Sequence, residues 1–218
     1  VISRSLFGEV ESFGSENYDT AMEEAFKSDY EKVRDFNTSH VGEVKKDLVS
    51  REFYYRQCDY MNFLHALAFS AWPVDISLSA TLLIDGMVPA GEVRYQDIRK
   101  IYPYDNKLVV LRLTGAEILR YLEASYDAWI STVPGPAEGS YVLRITQTKD
   151  YATGGMKWKL AKSPANFDSA AGIRYTVDVT KPYGSRVTVS GMADGSPFEM
   201  DKDYSVAITS YRSTGSGG

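Results

Sequence analysis

The chain has one cysteine and two histidines in 218 residues, and these shortages exclude whole classes of chemistry. A single thiol, Cys58, cannot close an internal disulfide or build a thiolate zinc cluster. His40 and His65 do not stand at metal-ligand spacing, and a hydrolytic metal centre needs several His and Asp ligands. No metal or other cofactor is therefore expected on this chain itself. His65, inside a helical pattern, reads as a packed or interfacial residue rather than a ligand. Long apolar runs are also missing. No stretch approaches the ~20 apolar residues of a spanning helix, and the amino end, VISRSLFGEVESFG, has no charged segment followed by an apolar one. The expectation is a mature or truncated soluble protein with no membrane span. Basic excess is absent too: the net charge is -5 with both signs interspersed, so nothing marks a surface for gripping a nucleic-acid backbone.

Familiar catalytic signatures fail in the same way. There is no G-x-S-x-G elbow, and neither histidine has an evident acid partner. The terminal STGSGG lacks the Gly-Lys-Ser/Thr of a phosphate loop. Asp201 and Asp203 lack calcium-loop spacing and read as a turn before a strand.

What is present is well patterned. Thr20 to Phe36 reads as an amphipathic helix with a Met22, Phe26, Tyr30 and Val33 stripe and a capping box from Thr20 and Glu23. Residues 1–40 are read as an interdomain linker containing that helix, and 41–218 as one domain. A helix is expected to open at Asp59, burying Met61, Leu64, Leu67, Ala68 and Ala71. A strand is expected from Asp75 to Leu83 and a short helix from Tyr95 to Ile101. Leu108 to Leu113 alternates with apolar residues on both sides, which predicts a strand buried on both faces. Thr114 and Glu117 then form a capping box for a helix that carries Ile118, Leu119, Leu122 and Tyr126 inward. Later alternating runs at Tyr141–Ile145, Met156–Leu160, Ile173–Thr180, Arg186–Val189 and Tyr204–Thr209 are separated by turn residues. Helices come mainly first and strands mainly later, so the class is α+β with a mixed sheet and packed helices.

Tyrosine outnumbers phenylalanine, 16 to 9, which suits wet aromatic surfaces. Two tyrosines leave regular structure beside polar residues. In IYPYDN, Pro103 stiffens the chain while Asp105 and Asn106 favour a turn, which holds Tyr104 out on a rigid loop. In SYRSTGSGG, Tyr211 precedes Arg212. An exposed ring on a stiff loop is a platform for a flat ligand.

The stretches AGEVRYQDIRKIYPYDNKLVVLRLTGAEILRYLEASYDAW, NFDSAAGIRYTVDVTKPYGSRV and SYRSTGSGG resemble, in order, the carboxyl-terminal domain of the bacterial 5'-nucleotidase and 2',3'-cyclic-nucleotide 2'-phosphodiesterase family. The cyclic-nucleotide branch is the nearer, with its Asn-Phe-Asp ahead of a Gly-x-x-Tyr-x-x-Asp strand and its terminal Tyr-Arg-x-x-Gly. The resemblance implies a nucleotide- or nucleoside-binding domain that sets specificity. Divalent metal ions and hydrolysis would belong to an amino-terminal metallophosphoesterase domain of the same polypeptide, outside this chain, and the location would be periplasmic, cell-surface or secreted. It further implies a base held between Tyr104 and Tyr211, with Asn106 near it, Arg212 among the substrate-binding residues, and Gly215, Gly217 and Gly218 in a glycine-rich loop. Stiffness in the Tyr104 loop then keeps the ring in place before the base arrives.

Departures from the family pattern are specific. ATLLIDG stands where the nucleotidase branch has Gly-Gly-Gly-Ile-Arg, so that branch's phosphate- or sugar-contacting arginine is missing. Ser216 replaces a glycine, Thr209 and Ser210 replace asparagines, and the metal-site signatures Asp-x-His, Gly-Asn-His-Asp/Glu and Gly-His-x-His are absent. Two other readings stay open from sequence: a non-catalytic module for nucleosides or other planar ligands, and a surface interaction domain whose tyrosines meet a protein or glycan.

Overall fold

The computed structural model describes residues 19–133, 135 and 142–216. Helix α1 (Thr20–Asn37) is capped by Asp19, whose carboxylate accepts from the backbone N–H groups of Ala21 and Met22 at 3.0 Å each. The capping box expected of Thr20 and Glu23 gives way to the preceding residue. A carboxylate at the positive end of a helix accepts more strongly than a hydroxyl.

Strand β1 (His40–Val44) pairs antiparallel with β5 (Gly91–Arg94), and β2 (Leu48–Val49) with β4 (Met87–Val88). A 3-10 turn at Ser50–Tyr54 leads into α2 (Asp59–Ala71). The central sheet consists of β3 (Ile76–Ala80), β6 (Leu108–Thr114), β9 (Asp168–Ala171) and β12 (Asp203–Thr209), in the order β6-β12-β3-β9. β12 runs parallel to β3, and the other neighbours are antiparallel. The short α3 (Tyr95–Ile98) precedes β6, and α4 (Gly115–Trp129) follows it. Two hairpins, β7 (Ile145–Lys149) with β8 (Met156–Leu160) and β10 (Ile173–Val177) with β11 (Val187–Met192), fill the later half, and α5 (Ser210–Ser213) follows β12. The architecture is α+β with a mixed sheet, as the pattern of elements predicts.

Alternation along the strands divides the packing. Ile76, Leu78, Val206 and Ile208 turn toward α4, where they meet Ile118 and Leu122 and the β10–β11 residues Ile173, Val187 and Met192. The intervening Ser77 faces α2, where His65 Nδ1 lies 2.9 Å from its hydroxyl. The first turn of α4 hands its free donors to a neighbouring loop: Gly115 N–H donates to Lys202 O at 3.1 Å and Ala116 N–H to Met200 O at 2.9 Å. A side chain at position 115 would collide with the Glu199 carbonyl, so glycine is required there. Thr114 and Glu117 make the predicted reciprocal cap. Glu123, a charged residue on the buried side of α4, accepts from Val187 N–H at 2.7 Å and Gly184 N–H at 2.9 Å, and thereby locks the β10–β11 hairpin down.

Several expectations need correction. β6 is an edge strand whose Val109, Leu111 and Leu113 pack against the core, while Val110 on its other side is exposed. α2 buries Tyr60, Met61, Leu64, His65 and Ala68, but Leu67 and Ala71 face outward. β3 stops at Ala80, since Leu82 takes φ 61° and breaks the extended run. α3 is shorter than the predicted helix, ending at Ile98. β10 ends at Val177, where the Asp178 carboxylate captures Thr180 N–H at 3.0 Å and its hydroxyl at 2.6 Å in a turn. β11 extends to Met192 through a register shift opposite Arg174/Tyr175. The strand expected at Tyr141 begins at Ile145, and Tyr141 itself lies outside the described residues.

Candidate ligand site at the end of the central sheet

The antiparallel pair β6 and β12 ends with Thr209 opposite Leu108. The chain entering β6 and the chain leaving β12 therefore meet at one end of the sheet, although they are far apart in sequence. Their seam is closed by hydrogen bonds. Ser210 N–H donates to Lys107 O at 2.7 Å, Lys107 N–H donates to the Ser210 hydroxyl at 3.1 Å, and that hydroxyl lies 3.4 Å from Asn106 Oδ1. Asn106 Nδ2 donates to the Tyr102 hydroxyl at 2.9 Å, which braces the loop from its other side. Burial pushes the Tyr102 phenol up, and the Asn106 contact opposes that shift. An amide has two donors and two acceptor lone pairs, so Asn106 keeps capacity beyond these two bonds.

Tyr104 lies three positions before Lys107 and Tyr211 one position after Ser210, so both belong to the segments that meet at the seam. Both are substantially exposed, Tyr104 at 52% and Tyr211 at 42%. The Tyr211 hydroxyl lies 3.5 Å from Asn166 Oδ1, on a 3-10 turn (Pro164–Asn166) capped by the Ser163 hydroxyl. The Thr209 hydroxyl caps α5 by accepting from Arg212 N–H at 3.4 Å. Gly215 takes φ +81° with open space around it, and its N–H donates to Arg212 O at 3.0 Å, which turns the terminal segment back on itself. Gly217 and Gly218 lie outside the described residues.

Arg212 belongs to the same turn, yet its side chain points inward. It is only 8% exposed, and its Nε donates to Asp168 Oδ2 at 2.7 Å and lies 3.2 Å from the Tyr121 hydroxyl. Burial pushes the Asp168 carboxyl up, and the guanidinium and the Tyr121 hydroxyl act against that shift. The structure thus joins the segments of Asn106 and Ser210 at one end of the sheet, with Tyr104 and Tyr211 close to that seam along the chain, and commits the guanidinium of Arg212 to the interior.

Sequence reasoning gave no role to Ser210, Tyr102, Asn166, Asp168 or Tyr121. The Asn-Phe-Asp run was the available signal, since a carboxylate entering a buried strand demands a cationic partner. ATLLIDG, Ala80 to Gly86, lies beside the site: the Tyr60 hydroxyl sits 2.7 Å from Thr81 O and 2.5 Å from Ile101 O, which ties that segment to the base of the Tyr104 loop.

Among the described residues no group of three or more His, Cys, Asp and Glu side chains could hold a metal ion. His65 lies between Ser77 and Ser169, and burial pushes its imidazole down to about 4. A cleft of about 1210 Å³ opens elsewhere, lined by Phe53, Tyr54, His65, Phe167 and Tyr175 among others, and includes neither tyrosine of the seam. The seam presents two exposed tyrosine rings and the Asn106 amide.

The family described as 5'-nucleotidase, C-terminal domain, matches residues 39–218. The chain is 27% identical over 143 residues to the trifunctional nucleotide phosphoesterase protein YfkN of Bacillus subtilis (strain 168), a match covering 60% of this chain and 9% of that protein. It is 24% identical over 139 residues to a 2',3'-cyclic-nucleotide 2'-phosphodiesterase/3'-nucleotidase of Haemophilus influenzae, covering 59% and 19%. Among solved structures, a Staphylococcus aureus protein assigned as a 5'-nucleotidase superposes over 96% of this chain and 37% of its own, with TM-score 0.69 and 19% identity. The 5'-nucleotidase precursor of Thermus thermophilus does so over 92% and 35%, with TM-score 0.59 and 20% identity. The matched regions are thus a small part of the curated relatives and about a third of the structural ones. No described helix is long and apolar enough to cross a membrane.

Proposed function

The chain belongs to the 5'-nucleotidase C-terminal domain family, and from that premise we propose that it is the nucleotide-binding, specificity-setting domain of a metal-dependent phosphohydrolase acting on 2',3'-cyclic or 5' nucleotides. The observation that carries this reading is the seam of Ser210 with Lys107 and Asn106, which brings two exposed tyrosines from distant parts of the chain to one end of the sheet. In this reading Tyr104 and Tyr211 stack on the two faces of the base and Asn106 supplies a directional hydrogen bond to its edge. The turn at Gly215 brings backbone close to the ligand. Divalent metal ions would be held by a metallophosphoesterase domain of the same polypeptide outside this chain, and would there supply the activation of water for attack on phosphorus. The residues of this chain hold substrate and transition state alike, so their loss falls mainly on KM in the assembled enzyme. By itself the chain is proposed to be hydrolytically inactive. The location is proposed as periplasmic, cell-surface or secreted.

The test is titration of the chain with adenosine and with 2',3'-cyclic AMP. Stacking contributes ~1–3 kcal/mol per ring, so Tyr104→Ala and Tyr211→Ala should each weaken binding by roughly fivefold to a hundredfold, while Phe at either position restores most of it. Absence of binding to any nucleoside or nucleotide overturns the reading. Manganese-dependent turnover by the pure chain, abolished by substitutions within it, overturns the division of labour.

A further inference from the structure

Resting on the nucleotide reading above, we infer that the buried Asp168–Arg212 pair, with Tyr121, is a positioning clamp that holds the Tyr211 ring where a base stacks, without touching the ligand. Tyr211 and Arg212 are adjacent on a four-residue turn too short to fix a ring by its own hydrogen bonds. Neighbouring side chains on such a turn point in different directions, so locking one sets the other. Arg212 is locked on three sides. Its Nε reaches Asp168 Oδ2 at 2.7 Å and the Tyr121 hydroxyl at 3.2 Å, its guanidinium carbon stands 5.8 Å from the centre of the Tyr121 ring, and its terminal nitrogen donates to Ser216 O at 2.5 Å. Asp168 is 1% exposed and also accepts from the Tyr121 hydroxyl at 2.6 Å.

The anchor is continuous with the ring's other contact. Asn166, facing the Tyr211 hydroxyl, and Asp168, facing Arg212, lie two positions apart in one segment leading into β9, so a single strand end grips both members of the Tyr-Arg pair. Ser125 fixes that segment further by donating to Asp168 O at 2.8 Å. With Nε and a terminal nitrogen engaged and little of its surface exposed, Arg212 is poorly placed to meet a phosphate. Its planar fork serves several acceptors at fixed angles, which a lysine ammonium cannot reproduce.

Arg212→Lys keeps the charge and gives the decisive variant. It should weaken adenosine and 2',3'-cyclic AMP by the same factor, roughly fivefold to fiftyfold, with a ceiling at the loss caused by Tyr211→Ala. In a Tyr211→Ala background the further loss from Arg212→Lys should fall below about twofold, because the ring it positions is gone. In ligand-free chain labelled with 3-fluorotyrosine, the Tyr211 resonance, assigned by its disappearance in Tyr211→Phe, should shift or broaden while tyrosines outside the clamp keep theirs. Asp168→Asn should move the same resonance. Should that variant fail to fold, Tyr121→Phe, which removes one hydroxyl and leaves the ion pair, should move it by less. Wild-type affinity in Arg212→Lys, a loss confined to the phosphorylated ligand, or losses that multiply fully with Tyr211→Ala would each overturn the clamp. If wild-type chain binds no nucleoside, the functional reading fails separately, and an unmoved Tyr211 resonance would then sink the clamp by itself.

Discussion

Helix α1 places Met22, Phe26, Tyr30 and Val33 at intervals of four, four and three residues, and α4 places Ile118, Leu122 and Tyr126 at intervals of four. Both helices have a side-chain cap at the amino end. Yet α1 has no buried residue along its 18, whereas Ile118 and Leu122 of α4 are fully buried between the sheet and the β10–β11 hairpin. Among the described residues, α1 makes an aromatic contact through Phe36, whose ring lies 4.2 Å from that of Tyr95. An apolar stripe at helical spacing therefore states that a face can be buried, and the surrounding chain determines whether it is. α2 adds a third case, in which a polar side chain, His65, occupies the buried face because Ser77 and Ser169 receive both its nitrogens.

The sharpest test of the contrast is truncation of a large side chain in each helix. Leu122→Ala should cost about 2–5 kcal/mol of unfolding free energy, as for a filled core site, while Phe26→Ala should stay within about 0.5 kcal/mol. Equal losses measured by urea unfolding would show that the stripe of α1 is covered in solution.

The buried histidine of α2 predicts a pH dependence. Its folded-state pKa is lowered to about 4 by burial, whereas an unfolded histidine titrates near 6.5. Between those values the unfolded chain binds the extra proton, so stability falls as pH drops through that window, by up to roughly 3 kcal/mol from this group. Below the folded pKa the two states are protonated alike and the loss levels off. His65→Gln removes the titrating group, so its stability curve should be flatter between pH 6.5 and 4 even if the variant is weaker at neutral pH. An unchanged slope would place the proton elsewhere.

Loss of the α4 cap should be smaller. Thr114→Ala removes the hydroxyl that accepts from Glu117 N–H and should cost about 1 kcal/mol by chemical denaturation. The smallest effect is expected from deleting residues through Asn37. The remaining chain should unfold cooperatively with its midpoint little changed, since the helix contributes no buried residue. Loss of cooperativity would move the boundary of the domain into α1.

Much of this molecule was readable from local chemistry. The Thr114–Glu117 capping box, the helical spacing of Ile118 and Leu122, and the alternation in Val206 and Ile208 are local codes, because backbone geometry assigns faces at periods of 3.6 and 2.0. The exposed setting of Tyr104 followed in the same way from Pro103, Asp105 and Asn106. What the sequence could not state was which of these faces would meet a partner. Val110 is as apolar as Leu111, yet Leu111 packs against the core and Val110, on the opposite side of β6, is exposed. The partners of Arg212 were equally hidden, since Asp168 lies 44 positions away and Tyr121 lies 91. Local propensity acts over a few residues and was legible; the meeting of the two tyrosine loops depends on β6 and β12 pairing across about a hundred residues, and only the folded sheet decides that.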